Sequence, residues 1–292
     1  MDTFREILIR LPSSIRQELE VLPNSVVAEI EEIRLRCGQN VRLQSGSLER
    51  IISHIVTADD LVKTLNRLIK YSYYAYEEDL AKGFITIEGG HRVGICGKAV
   101  VKSGQTSLIK EISSMNIRFA KEIKGCSDKI AGYLVGGDGK PLSTLIVSPP
   151  GCGKTTMLRD IARSLSSRKI KVAICDERSE IAGMYNSQPS FDLGPRTDVL
   201  DGAAKAQGIQ MLIRAMSPHV IITDEIGKTE DLEAAGQCLS SGVALITSIH
   251  GSSQESLKKS EIAPLINGGF FRNIIFLSNS KGPGTVAEVV NG

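Results

Sequence analysis

The chain has 292 residues, 41% of them apolar and 23% charged, a globular balance that excludes a disordered chain and a coiled coil. At about 150 residues per domain, the length predicts two domains. The net charge is +2, from 35 basic and 33 acidic residues, so bulk charge points to neither nucleic acid nor anionic lipid.

The N-terminal apolar residues Phe4, Ile7, Leu8, Ile15 and Leu19 recur at spacings of three and four. They predict helix over residues 1–30, broken at Pro12, with Ser13 or Ser14 capping the second piece. Ile33-Arg34-Leu35-Arg36 and Val41-Arg42-Leu43 alternate around the turn Cys37-Gly38-Gln39-Asn40 and predict a hairpin. Thr57-Ala58-Asp59-Asp60 starts a helix that continues through Leu61, Leu65 and Leu68. Tyr71, Tyr73, Tyr74 and Tyr76 follow, and helical spacing reads them as a core or domain-interface packing surface, with a partner-docking patch as the competing reading. A second hairpin is predicted from Phe84–Glu88 and His91–Ile95 around Gly89-Gly90. These elements make an N-terminal α+β domain over residues 1–122.

A glycine-rich connection over residues 121–140 leads into a different texture. Short apolar runs alternate with helical stretches: Leu145-Ile146-Val147, Val172-Ala173-Ile174, Val220-Ile221-Ile222, Val243-Ala244-Leu245-Ile246 and Ile274-Ile275-Phe276-Leu277. Runs without in/out alternation predict strands covered on both faces, hence a parallel α/β sheet over residues 123–292. The six cysteines, at 37, 96, 126, 152, 175 and 238, form no C-x-x-C or Cys/His cluster and read as free thiols in a reducing compartment. The acidic residues Asp2 and Glu6 argue against a signal peptide. No stretch approaches the ~20 apolar residues of a membrane span. An intracellular protein that meets membranes only peripherally is expected.

Ser148-Pro149-Pro150-Gly151-Cys152-Gly153-Lys154-Thr155 follows one β-like run and opens a helix. Glycines let backbone N–H groups curl around a β-phosphate, and the helix N-terminus adds partial positive charge. Pro150, Gly151, Cys152, Gly153, Lys154, Thr155 and Thr156 are therefore the expected nucleotide-binding segment. Lys154 would reach the β- and γ-phosphates, and the Thr155 hydroxyl would bind Mg²⁺. Ser148 stands where the usual pattern has its first glycine. A second Gly-Lys-Thr, at Gly227-Lys228-Thr229, lacks the small residue that such a loop needs at its start and reads as a decoy.

A phosphate loop needs a metal-holding carboxylate at the end of a nearby strand. Val220-Ile221-Ile222-Thr223-Asp224-Glu225 supplies one: Asp224 for Mg²⁺, Glu225 to polarise the attacking water. Asp176-Glu177-Arg178 ends the run after the loop helix, and His250 ends the run after Asp224, where open α/β sheets bind ligands. A lone strand-end His is often structural; beside the other polar strand ends, His250 reads as functional. Arg196, in Gly194-Pro195-Arg196, is a candidate phosphate sensor, with a surface or capping arginine as the competing reading. The absence of N-K-x-D argues against a guanine-specific GTPase.

In order and spacing, these motifs resemble the secretion ATPase superfamily, the RecA-like motors of type II and type IV secretion and of pili. The strings Glu32-Ile33-Arg34-Leu35-Arg36, Gly89-Gly90-His91-Arg92-Val93-Gly94-Ile95-Cys96-Gly97 and Asp192-Leu193-Gly194-Pro195-Arg196-Thr197-Asp198-Val199 are similar to its stage III sporulation AA family, over nearly the whole chain. The resemblance implies a C-terminal RecA-like P-loop NTPase domain plus an N-terminal α+β domain. It implies a homo-oligomeric ring, typically a hexamer, that hydrolyses ATP with Mg²⁺ between domains and neighbouring subunits. It implies a place in the mother-cell cytoplasm, at the membrane channel complex of sporulation stage III. It makes Glu177 a rival of Glu225 as general base, and it sends N-terminal arginines, Arg92 and Arg118, toward the nucleotide. Two other functions share the core motifs. A nucleic-acid-acting RecA or AAA+ ATPase would need a basic stripe with interleaved aromatics, which the chain lacks, so no nucleic acid is expected. A non-hydrolysing, nucleotide-gated scaffold would have no need of Glu225.

Overall fold

The computed structural model describes residues 2–102, 104–227 and 229–291. The chain divides into two compact units, residues 1–120 and 121–292.

The first unit opens with α1 (Asp2–Arg10), α2 (Ser13–Glu20) and α3 (Asn24–Glu29). Pro12 itself is the N-cap of α2, with φ −54° and no side-chain cap. The fixed proline φ suits the position before a helix, so Ser13 and Ser14 fall inside the first turn and cap nothing. The hairpin β1 (Glu32–Arg36) and β2 (Asn40–Ser45) turns Ile33, Leu35, Val41 and Leu43 into the core. An added edge strand, β3 (Leu48–Ile55), carries no sequence alternation because only Ile52 is buried in it. In α4 (Ala58–Leu68), Thr57 Oγ1 accepts from the Asp60 amide and the Asp60 carboxylate accepts from the Thr57 amide. This reciprocal box satisfies two helix-end donors. Tyr73–Tyr76 form a 3-10 turn rather than an α-helical face, followed by α5 (Glu77–Lys82). Tyr76 packs on the core, whereas Tyr71 and Tyr74 are 70% and 92% exposed.

Glu88-Gly89-Gly90 connect β4 (Phe84–Ile87) to β5 (His91–Lys102), and the last two take positive φ, which glycine adopts without steric cost. Strand β5 runs well past Ile95 and pairs with β6 (Gln105–Arg118) to its tip. Bulges interrupt the alternation after Cys96 and Val100, so the sequence pattern fades there. The antiparallel sheet has the order β3-β2-β1-β6-β5-β4. His91 is buried, and its Nδ1 accepts the Ala120 amide at 3.0 Å, which requires a neutral ring.

The second unit alternates strands and helices: β7 (Thr144–Ser148), α6 (Lys154–Ser167), β8 (Val172–Asp176), the short hairpin β9 (Met184–Tyr185) and β10 (Gln188–Pro189), β11 (Thr197–Asp201), α7 (Lys205–Met216), β12 (Val220–Glu225), α8 (Thr229–Ser240), β13 (Ala244–His250), α9 (Gln254–Lys258), α10 (Ala263–Asn267), β14 (Asn273–Ser278) and β15 (Thr285–Asn291). The large sheet has the order β11-β8-β12-β13-β7-β14-β15, parallel except for β15. Both faces are covered. Met157, Ile161 and Leu165 of α6 pack against Ile146, Ile174, Ile222 and Ile246. Ile209 and Leu212 of α7, with Ala235 of α8, pack against Ala173, Ile221 and Leu245 on the other face. The edge strands β11 and β15 are half exposed, which is why no apolar run announced them. No helix among the described residues is long and apolar enough to cross a membrane.

Burial pulls the His91 imidazole down to about 4, with repulsion from Arg10 adding to it. In the unfolded chain the ring titrates near 6.5, so between pH 6.5 and 4 the unfolded state binds the extra proton. Stability of the first unit is therefore full above pH 6.5 and falls as pH drops toward 4, by about 3 kcal/mol in total from this group. Unfolding of residues 1–120, followed by hydrogen exchange from pH 7 to 4, should show this loss relative to His91→Asn, whose amide oxygen can accept the same N–H without titrating. A pH-independent difference between the two proteins would exclude it.

Candidate functional site

Strand β7 ends in the buried Ser148, and the chain turns through Pro149–Gly153 into α6. Gly153, with φ +85°, is the N-cap of that helix. A Cβ there would stand 3.1 Å from the Gly284 amide nitrogen, and Gly284 donates to the Cys152 carbonyl at 2.8 Å. The β14–β15 turn thus lies directly on the loop. Ser148 does not take a positive φ, so a serine fits where the pattern has glycine. Its hydroxyl turns back to the Pro149 carbonyl. Thr155 and Thr156 are half-buried in the first turn of α6.

Lys154 Nζ lies 3.3 Å from the Ser148 carbonyl oxygen and 2.6 Å from His250 Nδ1. His250 Nε2 in turn lies 3.0 Å from Glu225 Oε2. With the ammonium donating to Nδ1, the network assigns the imidazole hydrogen to Nε2, facing the carboxylate. Burial pulls the Lys154 ammonium below its ordinary range, with the Glu225 charge opposing. Lysine, histidine and glutamate come from α6, β13 and β12, and the strand order sets β13 between β7 and β12.

Asp224 and Glu225 diverge. The register between β12 and β13 slips between Ile222 and Glu225, one extra residue in β12. Such bulges re-aim side chains at sheet ends. Glu225 meets His250, while Asp224 Oδ1 lies 2.8 Å from Lys205 Nζ, at the start of α7. The same ammonium is 3.0 Å from Glu177 Oε2, just beyond β8. Asp224 Oδ1 is buried and accepts no well-directed hydrogen bond, so the lysine contact is one of charge. Burial raises the Asp224 carboxyl, opposed by Lys205. Burial would lower the Lys205 ammonium, but its two carboxylate partners overcome that and raise it. A cleft of about 550 Å³ opens here, lined by Glu177, Arg178, Lys205, Asp224 and Glu225 among others.

Asp176 does not face this cleft. It is fully buried and accepts the amides of Glu180, Ile181 and Ala182 at 2.9, 3.0 and 2.8 Å. Burial pushes its carboxyl up to about 7 against the pull of the Ala182 and Ile181 amides. Its geometry is that of an anchor for the segment carrying Glu177 and Arg178. Arg159 of α6 holds that segment from the other side, donating to the carbonyls of Glu180 and Ile181. Arg196 is not brought to the phosphate loop. It precedes β11, whose Thr197 is in register with Val172 at the start of β8, so it sits at the N-terminal ends of the strands, opposite the ends that carry the loop and the acids. Arg118 belongs to the first unit, where it pairs with Glu32 at 3.3 Å, and Arg92 stacks on Phe84. Lys228 of the second Gly-Lys-Thr lies outside the described residues.

Sequence reasoning missed Lys205. One signal was available: a lysine opens α7, where the helix dipole favours an acid. A cation in that position needs carboxylates from elsewhere.

A model of the family described as sporulation stage III, protein AA, matches residues 1–292, and the chain belongs to that family. It is 41% identical to stage III sporulation protein AA of Bacillus subtilis (strain 168), over 97% of this chain and 94% of that protein. Among solved structures it resembles the ATPase DotB of Legionella pneumophila, with TM-score 0.60 and 17% identity, covering 91% of this chain and 76% of that one. It also resembles the pilus retraction motor PilT, solved with bound ADP, with TM-score 0.56 and 14% identity, covering 90% of this chain and 76% of that one. The fold is thus the α/β fold of P-loop secretion ATPases, with an N-terminal α+β unit.

If Asp176 is an anchor, Asp176→Asn should free the segment it holds. The amides of Glu180, Ile181 and Ala182 should exchange hydrogen at least ~10-fold faster, the effect of losing about 1.4 kcal/mol of local protection. Unchanged exchange there would remove the anchor role.

Proposed function

We propose that the chain hydrolyses ATP with Mg²⁺ at the loop Pro150–Thr156, as the motor subunit of a homo-oligomeric ring. The observation that carries this reading is the chain of contacts from Lys154 through His250 to Glu225. It joins the phosphate-loop lysine to a carboxylate through one imidazole, all at one edge of a parallel sheet.

The donor set suits a hard divalent cation. Asp224 presents a buried carboxylate oxygen that accepts no directed hydrogen bond, and Thr155 is in the first turn of α6. When bound, Mg²⁺ held by Thr155 and Asp224 would neutralise charge on the β- and γ-phosphate oxygens. The chain's own residues do the rest. Gly151 and Gly153 let the backbone amides face the phosphates, and Lys154 leaves His250 for the γ-phosphate. His250, with its hydrogen on Nε2, orients the Glu225 carboxylate. Glu225 accepts a proton from water as the water oxygen bonds to the γ-phosphorus. The bond from that phosphorus to the β–γ bridging oxygen breaks, leaving ADP and inorganic phosphate. Glu177 is the weaker candidate base because its carboxylate is paired with Lys205. Arg178 lines the adjoining cleft and is a candidate for charge stabilisation.

The wider reading rests on the family and on the secretion-ATPase fold. A ring, sixfold by analogy of fold, would place a neighbour's residues against these strand ends, with Arg118 or Arg92 as candidates to reach the nucleotide. The ring would work from the mother-cell cytoplasm on a membrane complex of sporulation stage III.

Phosphate release from Mg-ATP, measured against protein concentration, tests the proposal. Turnover per subunit should rise with concentration. Lys154→Ala should abolish nucleotide binding. Glu225→Gln should keep binding and lose at least ~100-fold in turnover, the usual share of a general base. A Glu225→Gln protein as active as the parent would transfer the role to Glu177.

A further inference from the structure

Lys205 has no part in the hydrolytic scheme, yet it is the most enclosed cation of the site. Its side chain is 10% exposed, and its ammonium lies between Asp224 at 2.8 Å and Glu177 at 3.0 Å. The position is held tightly. Gly208, one turn along α7, presses the helix onto β8: a Cβ there would stand 2.6 Å from Cys175 Sγ. A positive charge at the first residue of a helix opposes the helix dipole. Removing an ammonium from water is costly unless opposite charges compensate. Both costs are met here by carboxylates, and one of them is the carboxylate that suits the metal.

A divalent cation on Asp224 would come within a few ångströms of this ammonium, between side chains that are only about a tenth exposed. Like charges so close cannot share one carboxylate oxygen. We infer that Lys205 is an internal counter-cation: it occupies Asp224 before nucleotide arrives and yields that carboxylate to the metal that the nucleotide brings. Glu177 is what Lys205 keeps when it lets go, so the ammonium never stands unpaired. Metal binding thereby becomes conditional. Mg²⁺ is usually held by one or two carboxylates plus substrate phosphates. Here the lysine suppresses the carboxylate part until polyphosphate adds its negative charge. The inference rests on the reading of Asp224 as the metal-side carboxylate.

The test uses Mn²⁺ as the probe and the full chain. Mn²⁺ binding without nucleotide is measured by electron paramagnetic resonance for the parent, Lys205→Met and Lys205→Arg. Lys205→Met should bind free Mn²⁺ at least ~10-fold more tightly than the parent, because one repelling charge is gone, and Lys205→Arg should resemble the parent. Equal or weaker Mn²⁺ binding by folded Lys205→Met overturns the inference. A second measurement needs no variant. Acetylation of the Lys205 amine in the parent, mapped by mass spectrometry, should be greater with ADP and Mn²⁺ than with ADP and EDTA. Equal labelling overturns the inference even if Lys205→Met does not fold. The underlying reading has its own arm. Mn²⁺ should tighten ADP binding to the parent and not to Asp224→Asn. If the parent shows no such tightening, the reading of Asp224 fails and this inference falls with it. If tightening is present but the Lys205 measurements do not move, only the inference fails.

Discussion

Four parallel strands of the second unit end at one edge, in the lateral order β8, β12, β13, β7. Parallel pairing forces every C-terminal end to the same side. Each strand can then contribute whatever its last residue carries. The residues in contact there lie 19 to 96 positions apart in sequence (Lys205 to Asp224, Lys154 to His250) and 2.6 to 3.0 Å apart in space. Two rows of contacts run along this edge: Glu177, Lys205 and Asp224 alternate in charge, and Glu225 reaches the Lys154 ammonium through the His250 imidazole. The bulge in β12 divides the rows, because it lets two consecutive carboxylates serve opposite neighbours.

The first unit obeys a different rule. Its sheet is antiparallel with one apolar face, so its strands alternate and its outward face carries Arg34, Arg36, Arg42, Arg92 and Arg118. Some of that charge is neutralised within the unit: Glu32 pairs with both Arg34 and Arg118, and Glu49 with Arg42. His91 sits where β5 begins and closes the last turn of the unit through Ala120. Its neutrality is imposed by burial and by the amide that it accepts.

The parts of this protein legible in its sequence are those with local signals. The phosphate loop needs glycines at positive φ before a helix, and Gly151 and Gly153 supply them. The parallel strands needed no alternation because both faces are covered, and their apolar runs stood out. The edge strands β3, β11 and β15 did not, since strands half exposed carry mixed residues. The long ribbon of β5 and β6 was hidden by its bulges. Among site residues, Asp176 illustrates the limit. Its place beside Glu177 suggests chemistry, yet three amides of its own downstream loop claim it. Nothing in the string Asp-Glu-Arg distinguishes a carboxylate that faces solvent from one that faces its own backbone. Arg196 fails for the opposite reason: its neighbours in sequence are loop residues, but strand direction puts it at the wrong ends of the strands.

Buried carboxylates in the second unit also differ in how they are closed. Asp160 accepts the amides of Gly125 and Ser127, the Ser127 hydroxyl and the Arg163 guanidinium. Asp176 accepts three amides. Apart from the Arg163 guanidinium, these partners are backbone amides and one short hydroxyl that cannot leave without unfolding their loops, and such a carboxylate is a structural joint. Asp224 is closed on its Oδ1 side by a single ammonium on a flexible stem. A buried ion pair of this kind adds little stability over apolar residues of the same volume, because desolvation of both charges offsets their attraction. Stability therefore does not account for it. What distinguishes the pair from the joints is that one partner can move away, and a carboxylate whose cation can be exchanged is the form a metal-dependent phosphate site requires.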